Sequence, residues 1–155
     1  MHSLIKHIAK NIGISLFLII SILIATQAQS EQSAEEIIKD RKALFSKNYN
    51  TAKRVQSLSS SGDFEEAKEL MLEMSENYKT LIELFPDNTK EGFKTEATPL
   101  IWEEKDKFNS LMEKSSNDMI ELASIIENSD NITGSLGQLM WGNCKACHSK
   151  YRVEQ

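Results

Sequence analysis

The chain has two cysteines, two prolines and six glycines in 155 residues. Two cysteines cannot staple a disulfide scaffold, and so little proline and glycine excludes a collagenous or low-complexity chain. The mean hydropathy is negative, which excludes a polytopic membrane protein. Basic residues are outnumbered by acidic ones, 18 against 23, and they form no block. Such a surface has little to hold a phosphate backbone, so nucleic acid is not an expected partner. What is there, 40% hydrophobic and 26% charged residues, suits one ordinary globular domain. Long apolar runs are missing too, with one exception between Ile12 and Ala25.

That exception has the pattern of a secretory signal. Lys6 and Lys10 precede it, its apolar middle runs through Leu16-Phe17-Leu18-Ile19-Ile20, and Thr26 and Ala28 supply small residues at the exit. A retained spanning helix needs about 20 apolar residues, more than are present. The expected boundaries are a signal peptide at 1–28, cleaved after Ala28, and a mature domain at 29–155; an uncleaved N-terminal anchor is the alternative. Cleavage removes two lysines and no acid, taking the formal charge from −5 to −7. The mature domain is then exported, with no stable membrane insertion. In an oxidising compartment its two cysteines would ordinarily form a disulfide.

Four segments of the mature chain carry helical periodicity. The first runs from about Ala34 to Ser60 through Ile37, Ile38, Leu44, Phe45, Ala52, Val55 and Leu58, with Ser33 and Glu36 forming a capping box. The second opens at Asp63 and ends near Phe85-Pro86. Residues 86–98 read as a long loop. The third helix follows Pro99 and extends to about Asn128; the fourth spans about Thr133 to Arg152. Asn131-Ile132-Thr133 matches a glycosylation acceptor by three letters only. The expected fold is all-α, an antiparallel up-down-up-down four-helix bundle.

The informative motif is Cys144-Lys145-Ala146-Cys147-His148, because C-x-x-C-H is the attachment sequence for c-type haem. Two thiols three residues apart on a helical turn can reach the vinyl edge of one porphyrin, while the adjacent imidazole turns onto the iron. Three other readings compete: a disulfide, a fragment of a zinc site and a thiol redox pair. Structural zinc normally takes four Cys or His ligands, and the mature chain has only Cys144, Cys147 and His148. A thioredoxin-like pair would need alternating strands and helices, which the pattern lacks. The motif, the export signal and the absence of other cysteines favour one covalent haem c. No carboxylate pair or nucleophile–base pair is visible, so catalysis is not expected.

The C-terminal Cys-Lys-Ala-Cys-His-Ser-Lys-Tyr-Arg, Arg41-Lys42 on the first helix and the segment Phe85-Pro…Asn88-Thr89…Pro99-Leu-Ile-Trp102 together resemble the cytochrome c′ family over essentially the whole mature chain. The resemblance implies a periplasmic four-helix bundle, commonly a homodimer through its first two helices. It implies Cys144 and Cys147 as thioether cysteines, His148 as proximal ligand and metal site, and Arg152 flanking the proximal pocket. Arg41 would meet a haem propionate and Lys42 would stand beside it, where relatives often have glutamine. For both, a solvated helix face is the alternative. Thr89 and Lys90 are further candidate contacts to the haem edge.

In low-spin relatives a methionine from the first helix saturates the iron, but residues 33–61 contain none. The family's distal position is Phe45, with Leu44 beside it, and neither side chain ligates iron. The expectation is therefore a five-coordinate, high-spin haem with an apolar distal face, without a hydrogen-bond donor, favouring NO and CO. The resemblance also suggests that NO can end on the proximal side after displacing His148. Met71, Met74, Met112, Met119 and Met140 are conceivable ligands from the other helices, and core filling is their ordinary role. Two functions follow: NO sequestration or sensing, or single-electron transfer to a transient redox partner.

Overall fold

A computed structural model describes residues 32–154, so the expected signal peptide at 1–28 lies outside the described residues.

Helix α1 spans Ala34–Ser61. Its start is fixed by the expected capping box: the Glu36 amide donates to Ser33 Oγ at 3.3 Å, and the Ser33 amide donates to Glu36 Oε2 at 3.0 Å. Gly62, at φ 84°, closes its C-terminus in the left-handed region and turns the chain directly into α2, Phe64–Glu83. A two-residue joint forces the two helices antiparallel. α3 spans Lys105–Ile125, and α4 spans Gly142–Tyr151. α2 packs extensively on both α3 and α1. Between them lie Met71, Met74, Leu81, Met119 and Leu122, all with no measurable exposure, so the helical stripes meet as a single core.

The third and fourth expected helices are each interrupted. The third begins with a short turn, Leu100–Glu103, and breaks at Glu104 (φ −120°, ψ 42°) before α3. The break lets the start of this segment dock on the end of α2. Trp102 Nε1 and Lys105 Nζ each donate to the Phe85 carbonyl at 3.0 Å. The fourth begins with the turn Ile132–Ser135, where Asn131 Oδ1 caps the Gly134 amide at 3.0 Å. That accounts for the side chain of the glycosylation-like triplet. A π-helical stretch, Leu136–Trp141, then leads into α4.

The loop after α2 is more ordered than its composition suggests. It contains a 3-10 turn, Asp87–Thr89, and three successive left-handed residues, Gly92 (φ 84°), Phe93 (φ 48°) and Lys94 (φ 55°). Ala97 then makes an isolated antiparallel bridge with Arg152. Consequently α4 ends at Tyr151 and Arg152 is extended (φ −116°, ψ 138°), whereas helical periodicity carries it inside the helix. Among the described residues no strand forms.

Candidate functional site

α1 and α4 make few close backbone contacts, yet both line one cavity of about 660 Å³. This volume lies within the range of cofactor pockets, roughly 300–1,000 Å³. α1 contributes Arg41, Lys42, Phe45 and Asn48; α4 contributes Cys144, Cys147 and His148; the loop contributes Thr95 and Glu96. The i, i+4, i+7 spacing of Arg41, Phe45 and Asn48 puts them on one stripe of α1. The i, i+3, i+4 spacing of Cys144, Cys147 and His148 does the same on α4.

Arg41 is 3% exposed. Its Nη1 donates to Thr89 Oγ1 at 2.9 Å and to the Leu84 carbonyl at 3.2 Å; Nη2 donates to the Thr89 carbonyl at 3.1 Å and to Thr95 Oγ1. The guanidinium also lies over the Phe85 ring, 4.6 Å from its centroid. All of these partners are formally neutral, and among the described residues no carboxylate reaches ion-pairing distance of Arg41. Burial pushes its pKa down to about 10, so it remains charged at neutral pH. A buried cation held by neutral oxygens leaves charge for an anion to compensate.

Thr89 and Lys90 do not line the cavity. Thr89 is fully buried behind Arg41 and positions it, while Lys90 pairs with Asp87 at 2.8 Å on the surface. Lys42 stands at the cavity wall with Nζ donating to the Lys94 carbonyl at 3.0 Å. Phe45 stacks edge-on against Phe85, with ring centroids 6.4 Å apart.

On the opposite wall both cysteines are free and half-buried. Burial raises both thiols, Cys147 to about 11. Reactive thiols have lowered values, so this environment argues against a thiol redox pair. Tyr78, buried on α2, lies against Cys144 and is itself raised by burial. Among the described residues no three Cys, His, Asp or Glu side chains converge to form a metal cage. His148 is pulled below its ordinary value by burial, with the Arg152 charge adding and Glu96 opposing. Arg152 is tied down by Glu96: its Nε donates to Glu96 Oε2 at 2.9 Å and its Nη2 lies 2.7 Å from the same oxygen.

Of the five methionines, Met112 lines the cavity, whereas Met71, Met74, Met119 and Met140 belong to the core away from it. The α1 wall also departs from the apolar face expected from sequence, because Asn48 is part of it. Asn48, Tyr78, Thr95 and Glu96 escaped the sequence reading. Only Asn48 had an available signal, its register with Arg41 and Phe45.

Residues 36–152 match the family described as cytochrome c′. Cytochrome c′ from Rhodopseudomonas palustris is 28% identical over 123 residues, covering 77% of this chain and 84% of that protein. The protein of the same name from Rhodospirillum rubrum is 36% identical over 77 residues, 49% of this chain and 52% of that one. The solved structure of the Rhodopseudomonas palustris cytochrome c′ superposes with a TM-score of 0.70 at 27% identity, covering 80% of this chain and 99% of that chain. The fold and cavity are those of an all-α, haem-binding four-helix bundle. The chain belongs to the cytochrome c′ family, whose members bind one covalent haem c. The cavity fits such a group. It is largely apolar, has two thiols and an imidazole on one wall, and has an uncompensated buried guanidinium for a carboxylate.

Proposed function

We propose that this chain is an exported, gas-binding haem protein of the periplasm, with Cys144 and Cys147 as thioether anchors, His148 as the iron ligand and α1 facing the haem's other side. The observation that carries this reading is the pairing of walls around one cavity. The C-x-x-C-H segment lies on α4, and Phe45 lies on α1, which has neither a thioether nor an imidazole. When held by Cys144, Cys147 and His148, the haem would supply an iron able to take up small ligands such as NO and CO.

The residues of the chain set the terms of that binding. Burial and the nearby Arg152 charge favour neutral His148, the form of imidazole that ligates metals. Arg41 offers a preorganised guanidinium to a propionate, and Lys42 offers a second cation at the rim. Phe45 narrows the α1 side of the cavity and so restricts ligands to small ones. Glu96 holds Arg152 beside the proximal side. Thr89 and Lys90 are given no haem contact. The features support reversible ligand capture, as in NO sequestration, and no catalytic step is assigned.

Export rests on the basic start, apolar middle and small-residue exit of residues 1–28. Among the described residues no helix is long and apolar enough to cross a membrane. The family resemblance further supports a homodimer through α1 and α2. Light scattering tests this: a mass of twice the chain is expected, and a single-chain mass would contradict it. The attachment is tested by replacing both Cys144 and Cys147 with alanine. The wild-type haem band should survive denaturation and acid-acetone extraction; that of the double variant should be lost.

A further inference from the structure

α4 carries the whole C-x-x-C-H segment, yet it has little apolar surface with which to hold its place. Among its residues only Asn143 and Tyr151 are buried, and the two cysteines are half-buried. An amphipathic helix is ordinarily fixed by an apolar stripe against its neighbour. Polar contacts at its two ends hold α4 instead. At the C-terminal end Lys150 and Tyr151 bond to Glu104, and Arg152 bridges to Ala97. At the N-terminal end the contact is made by Asn143, directly before Cys144.

Asn143 is 7% exposed. Its Nδ2 carries two hydrogens and donates to Asp118 Oδ2 at 2.8 Å and to the Leu139 carbonyl at 2.6 Å. Asp118 is a buried residue of α3, and the same oxygen accepts from Lys114. A carboxylate acceptor makes such a bond about twice as strong as one between neutral groups. Leu139 belongs to the π-helical stretch, in which the Gly142 amide reaches back to the Gly137 carbonyl. One side chain therefore joins the end of the π stretch, the start of α4 and α3. The junction matters because a π stretch holds an extra residue, and each position that the extra residue passes turns by about 100°. If it moved beyond Cys144, that thiol would leave the cavity wall, and no apolar stripe on α4 would resist the change. We propose that Asp118 and Asn143 are positioning residues for haem ligation: their hydrogen bond pins the end of the π stretch and so sets the rotation at which α4 presents Cys144 and His148. Asp118 does not line the cavity, so its influence on the haem passes through Asn143.

This inference rests on His148 as the iron ligand, the reading given under Proposed function, and the test separates the two. Resonance Raman spectra of the ferrous, haem-loaded protein report the iron–histidine stretch. Asp118→Leu keeps the approximate shape and removes the acceptor, whereas Asp118→Asn keeps an acceptor oxygen. The stretch should move to lower frequency and broaden in Asp118→Leu and stay at the wild-type position in Asp118→Asn. If Asp118→Leu fails to fold, Asp118→Ala, which admits water beside Asn143, should show the same shift. Gly62→Ala, which strains the turn between α1 and α2, controls for a general loosening of the fold and should leave the band in place. A wild-type band in the folded Leu or Ala variant would overturn the positioning role alone, as would an equal shift in Gly62→Ala. Wild-type protein with no iron–histidine stretch would overturn the site reading together with it.

Discussion

Arg41 connects the helical bundle to the loop that closes the cavity. Its guanidinium bonds hold Thr89, Thr95 and the Leu84 carbonyl, so it shapes residues 84–95 as well as offering charge to the cavity. In the haem-loaded protein Arg41→Met should lower the unfolding free energy by about 2 kcal/mol, read by urea denaturation, because acceptors and a carboxylate lose their donor together. Unchanged stability would show that the buried charge has no anionic partner. At this scale the α4 residues were legible in the sequence, since Cys144, Cys147 and His148 are local neighbours whose spacing alone encodes their common face. Glu96 was not, because its partner Arg152 is 56 residues away and meets it through a loop bridge. Asn48 was hidden for another reason: periodicity assigns it a face, but only its surroundings show that its Nδ2 has no partner.

The helical elements were legible where apolar spacing and caps agree. α1 shows this best, with its Ser33 box and its stop at Gly62. Gly62 sits at φ 84°, and a side chain there meets no neighbour, so the cost of substitution is conformational. Gly62→Ala should therefore destabilise the fold by about 1 kcal/mol, visible as a lowered urea midpoint with an unchanged haem spectrum. A spectral change would mean that the turn communicates with the site. The break at Glu104 and the π-helical stretch Leu136–Trp141 were not legible. Both lie within stretches whose apolar residues keep near-helical spacing, and a one-residue insertion shifts register without interrupting that pattern. The π stretch ends immediately before Gly142, so it sets the rotation at which α4 presents its two cysteines.

At the scale of the whole molecule, Glu104 ties the start of α3 to the end of α4. Its carboxylate accepts from Lys150 and Lys107, and from the Tyr151 hydroxyl at 3.3 Å. The hydrogen bond from Lys150, then that from Lys107, holds its pKa down at about 2 against an ordinary 4.5. A depressed carboxyl stabilises the fold fully above its unfolded-state value and loses that contribution as pH falls through the folded one. Between pH 4.5 and about 2, wild type should therefore lose stability more steeply than Glu104→Gln. The group is near the surface, so the difference should shrink in high salt. Parallel acid titrations of the two proteins would contradict this link between α3 and α4.

The whole-molecule architecture also carries the central claim, because the α1 wall of the cavity contains neither methionine nor histidine, the usual partners of a saturated haem iron. The competing use of such a molecule, single-electron transfer through a saturated iron, requires a second protein ligand, and Met112 is the one methionine among the described residues that lines the cavity. The optical spectrum of the reduced, purified protein with and without CO decides between them. A high-spin, five-coordinate spectrum that shifts on adding CO is predicted; a low-spin spectrum indifferent to CO would contradict the account.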